Sequence, residues 1–82
     1  MATIASAVNT PFTPAATPFY IQVSGIGQAY LQSLADGSAP WVAITAPLGA
    51  PNVSAGIMQN PVTGTQYQFI AVSGSPVVQA TQ

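Results

Sequence analysis

The chain has 82 residues, with no Lys, Arg, His or Cys and a single acidic side chain, giving a formal net charge of −1. Charged residues make up 1% of it, against roughly 25% in an ordinary soluble domain. That excludes phosphate neutralisation, and with it direct nucleic-acid binding, and leaves no cationic attraction to anionic lipid, no ligand set for a metal and no disulfide.

The length fits one domain, and a chain this short buries only about 60–65% of the surface its unfolded form exposes. With metal, disulfide and ion pairs missing, association with other subunits is the stabilising route left open.

Residues 1–18 are rich in Ala and Thr and carry Pro11, Pro14 and Pro18. Each proline restrains its own φ and drives the preceding residue towards extended conformations, which predicts an extended N-terminal arm rather than a helix. The arm has no basic residue and no sustained apolar run, so no signal peptide is expected. No apolar run in the chain approaches the ~20 residues of a membrane helix, and no membrane partner is expected. The arm reads either as a floppy terminus or as a segment that orders on another subunit or a larger shell, with its apolar Ile4, Val8 and Phe12 as the candidate contacts.

A domain is expected over residues 19–82. Residues 19–23 alternate, with Phe19, Ile21 and Val23 on one face of a first strand. Ser24, Gly25, Ile26 and Gly27 predict a turn, and residues 28–34 a second strand with neither face purely polar. Residues 30–44 are the organising stretch: two strand-like runs flank residues 35–40, where Asp36 and Gly37 supply a hairpin turn. Pro40 fixes the re-entry, and Trp41 brings the largest apolar side chain to the core. Residues 41–45 form the third strand. Residues 46–52 hold two prolines and a glycine and predict a loop. Residues 53–58 predict a weak strand whose Gly56 marks a bulge or a close backbone approach. Residues 66–72 are the clearest strand, alternating through Tyr67 and Phe69. A turn at residues 73–76 and a short strand at residues 77–80 follow. Five to six short strands separated by Gly/Pro turns predict an all-β fold, a small antiparallel β-sandwich or barrel with an extended N-terminal arm.

No catalytic, cofactor-binding or metal-binding residue is expected. Asp36 has no second carboxylate to form an acid/base pair. The Ser and Thr hydroxyls have no His or Lys to activate them, so the chain is not expected to be an enzyme. Asp36 and Gly37 read as turn residues. Trp41 reads either as core or subunit interface, or, with Tyr20, Tyr30, Tyr67 and the Gln/Asn amides, as a platform for neutral glycans.

The pattern Gln32-Ser33, Asp36-Gly37-Ser38, Trp41 and Ile44, followed by Tyr67-Gln68-Phe69 and Val72-Ser73-Gly74, resembles small β-sandwich modules of tailed-phage virion proteins. The resemblance covers about residues 19–80. It departs from that pattern in having no Arg or Lys beside the hairpin and in placing Pro40 before Trp41, which leaves a head or a tail location open. The resemblance implies a virion structural protein made in the host cytoplasm: a capsid decoration (cement) protein bound to the major capsid protein or another virion protein, as a homo-oligomer with a trimer favoured. The alternatives are a glycan-binding or adhesin module and a phage tail or fibre component.

Overall fold

Two runs in which apolar residues alternate with Gln, Ser and Tyr become the frame of the molecule, because alternation on a pleated strand puts every second side chain on one face. A computed structural model describes residues 2–34, 40–49, 56–61 and 64–82. Its strands are β1 (Thr3–Ala5), β2 (Phe19–Leu34), β3 (Val42–Ala43), β4 (Leu48–Gly49), β5 (Gly56–Gln59) and β6 (Gln66–Thr81). The fold is all-β, and its strands pair antiparallel in one sheet. Asp36 and Gly37 lie outside the described residues.

The 16-residue strands β2 and β6 pair along their length, from Tyr20↔Thr81 to Leu34↔Gln66. The other edge of β2 is covered piecewise, by β5 at residues 19–22, β4 at 28–29 and β3 at 32–33. The other edge of β6 takes β1 at Thr81 and Ala80.

This ribbon corrects two expectations. The turns expected at residues 24–27 and 73–76 are bends inside continuous strands, so four expected short strands are two long ones. Glycine explains both. Gly27 and Gly74 are cross-strand partners with φ of 130° and 63°, values that side-chain-bearing residues rarely adopt. A Cβ on Gly27 would overlap the Ser73 carbonyl, and one on Gly74 would overlap that of Ile26. Both strands therefore bend at the same level, and the ladder survives the corner.

A bulge sits beside the corner. Gln28 pairs with Ser73 but Ala29 pairs with Ala71, so Val72 is the extra residue. It switches the parity of β6: Tyr67 and Phe69 face inwards on one side of it, Val78 and Ala80 on the other, while β2 keeps Phe19, Ile21, Val23, Ala29 and Leu31 inwards. Without the extra residue one half of β6 would turn its apolar set to solvent.

A straight ribbon of this length would span about 50 Å, whereas the longest dimension of the molecule is 32 Å. The ribbon is folded on itself, and the core lies between its halves: Phe19, Ile21, Val23, Val78 and Ala80 from one, Ala29, Leu31, Tyr67 and Phe69 from the other, with Leu48 of β4 added. Leu48 lies in what the prolines predict as a loop, and a two-residue pairing of β4 with Gln28 and Ala29 brings it in. Trp41 does not seed this core. It is half-buried just before β3 and is not among the core side chains, because β3 meets β2 only at Ser33 and Gln32, beyond the inward row that ends at Leu31.

Candidate association surface

The arm is where the structure most changes the reading of the sequence. It lies against its own chain, touching both halves of the folded ribbon. Ala2 and Gln82 exchange main-chain hydrogen bonds of 3.0 and 2.9 Å beside β1. Further along, the Asn9 amide donates to the Phe69 carbonyl at 2.8 Å, and Phe12 and Tyr67 exchange two bonds of 2.8 Å. Ile4, Val8 and Phe12, expected at contacts with another subunit or a shell, are partly buried against this chain's own core.

Phe12 is the key of that closure. Its ring stacks on Phe69 with centroids 6.0 Å apart and planes at 22°, meets Phe19 edge-on at 6.0 Å, and lies 6.1 Å from Tyr67. Edge-to-face and offset contacts at these distances add stabilisation beyond area burial. Among the described residues, the Gln82 side chain supplies the hydrogen bonds to the segment leading from Phe12 to β2. Gln82 Nε2 donates to the carbonyls of Ala15 and Thr17 at 3.0 and 2.6 Å, and the Ala15 amide donates to Gln82 Oε1 at 2.9 Å.

On the outer face of the ribbon, amides stand where charges would ordinarily be. Gln22 faces Gln79 and Gln32 faces Gln68 across the ladder. Gln68 Nε2 donates to Gln32 Oε1 at 2.8 Å, Gln32 Nε2 donates to Tyr30 Oη at 3.4 Å, and Gln79 Nε2 donates to Thr3 Oγ1 at 2.9 Å. Tyr30 is half-buried in this row, whereas Tyr67 is buried in the core and Tyr20 lies over Gly56, where a Cβ would overlap its hydroxyl. The four aromatics expected to share a glycan platform are thus divided between the core and different parts of the surface. The close approach expected at Gly56 is present.

Apolar side chains interrupt the amide face at the corner. Ile26 is 83% exposed and Val77 is 59% exposed. Ile26 pairs with Ser75 and Val77 with Ser24, which sets the two side chains diagonally across one face, close enough to form a single patch. Ile26 falls in the stretch predicted as a turn, and nothing in its immediate sequence singles it out. The available signal was the parity of the glutamines: outward Gln66 and Gln68 are even-numbered, outward Gln79 is odd, and only a bulge between them keeps all three on one face.

Comparison with protein-family models, with curated proteins and with solved structures finds no match to this chain. Among the described residues no group of three His, Cys, Asp or Glu side chains is assembled, and no helix is long and apolar enough to cross a membrane.

Proposed function

We propose that this chain is a virion structural protein of the decoration type, which docks on the outside of an assembled phage shell and stabilises it by adding contacts. The observation that carries the reading is the exposed corner: Ile26 and Val77, the two most exposed large apolar side chains among the described residues, stand together on a face rich in uncharged amides. Such a face enters an interface without the desolvation penalty of buried ions, and an apolar centre ringed by polar groups is the common anatomy of a protein–protein contact. The partner in this reading is the major capsid protein or another virion protein. Homo-oligomerisation, as a trimer, comes from the resemblance to virion modules that sit on three-fold positions. The test is the copy number of the protein on purified particles, before and after Ile26→Gln. Regular occupancy that falls at least tenfold in the variant, with the folded signal retained, supports the reading. Particles without the protein refute it, and its recovery in tails instead of heads moves the reading to a tail or fibre component.

A second reading is favoured by the hydrogen-bonded row Gln68–Gln32–Tyr30. An aromatic ring beside pre-ordered, uncharged amides suits a neutral glycan. Binding on a glycan array that disappears in Tyr30→Ala and survives in Ile26→Gln would give this reading precedence.

A further inference from the structure

We propose that the edge of β6, with the aromatic seat beside it, accepts the N-terminal arm of a second copy of this chain, so that subunits are joined by exchange of residues 2–12. The inference rests on the association reading above and names the partner surface within it.

Three features lead there. First, the arm is attached through main-chain bonds to Gln82, Phe69 and Tyr67 and through the ring of Phe12. An identical arm from a neighbour makes the same contacts in the same register, so exchange forfeits none of them. Second, the seat requires an occupant. Phe12 covers Phe19, Tyr67 and Phe69, which come from both halves of the folded ribbon, and without the arm these rings lose one neighbour while the Tyr67 amide and carbonyl and the Phe69 carbonyl lose the main-chain bonds that Phe12 and Asn9 supply. Third, the link between arm and body suits opening. Residues 13–18 are exposed apart from Pro14, and Pro14 and Pro18 both stiffen and extend them. Among the described residues, the side chain of Gln82 is the hydrogen-bonding tie on this link.

The link also sets the range. Phe12 and Phe19 are seven residues apart and can separate by at most about 25 Å, so the acceptor seat must lie within that distance of the donor's Phe19. The home arm competes at an effective concentration in the millimolar range. Exchange therefore belongs to crowded conditions, such as subunits folding together or packed on one surface.

The absence of natural cysteine makes the test clean. Thr3 and Thr81 are cross-strand partners, and antiparallel partners lie within disulfide range. A chain carrying Thr3→Cys and a chain carrying Thr81→Cys are unfolded together, refolded at roughly millimolar concentration and oxidised. Neither can form the arm bond within itself. The expected product is a covalent heterodimer in several-fold excess over either homodimer, falling away on dilution before refolding. The double variant reports folding by circular dichroism and should shift from an internally crosslinked monomer when refolded dilute to a covalent dimer when refolded concentrated. A folded double variant that stays an internally crosslinked monomer at every concentration, with no heterodimer excess in the mixture, overturns exchange while leaving shell docking by the Ile26 corner intact. Exchange without occupancy on particles overturns the shell reading alone.

Discussion

Phe19 and Tyr67 meet with ring centroids 5.3 Å apart and planes at 62°, although in the ladder Tyr67 pairs with Ser33, at the far end of β2 from Phe19. The contact exists because the ribbon folds at its glycine corner, and Phe12 locks it from the side. Core, arm and exposed patch all follow from that fold: the corner that brings the two rings together is also what pushes Ile26 outwards.

Substitution at the corner should therefore be far more damaging than at an ordinary glycine. Gly27→Ala places a Cβ against the Ser73 carbonyl at a φ of 130°, so backbone strain alone should cost about 1–3 kcal/mol, with the overlap added. Gly64→Ala, at φ 82° with nothing within 4 Å of the new Cβ, carries only the backbone term. Denaturant midpoints should fall in that order, and equal losses would mean that the corner is not a tight crossing.

Phe69→Ala should cost about 3–5 kcal/mol, since Phe69 is fully buried between the two halves. Trp41→Ala should cost less, in proportion to the smaller area that a half-buried side chain removes from water. Trp41 emission should lie between the buried and exposed limits and be partly open to a soluble quencher. A loss at Trp41 exceeding that at Phe69 would return Trp41 to the core.

Gln82→Ala removes the three hydrogen bonds that hold Ala15 and Thr17. At about 1 kcal/mol per typical bond, less for exposed ones, the variant should stay folded. Its Ala15 amide should exchange with deuterium faster, and residues 13–18 should become more open to proteolysis. Unchanged exchange at Ala15 would show that the prolines hold the link without Gln82.

Ionic strength should matter little. With one acidic side chain and no basic ones, there is no side-chain ion pair for salt to screen. Acidification changes the protonation of at most one side chain, so the linkage between pH and stability is correspondingly weak. Thermal midpoints at low and high salt, and at acidic and neutral pH, should nearly coincide, and a steep loss of folded signal in acid would contradict this.

Local chemistry determined the class of this protein. Alternation at Phe19, Ile21 and Val23 and at Tyr67 and Phe69 marked both strands and their inward faces, and the prolines of residues 1–18 marked an extended arm. What Gly25, Gly27 and Gly74 do was not local. A glycine at positive φ serves a reversing turn and a bent strand equally well, and the choice depends on whether the partner strand bends at the same level, which is a matter of pairing between residues some fifty positions apart in the chain. The same holds for the arm and for Trp41. Whether an apolar side chain finds a seat depends on the cavity that distant segments leave for it. Folding the ribbon left one for Phe12 against Phe19, Tyr67 and Phe69, while the inward row that ends at Leu31 left Trp41 outside.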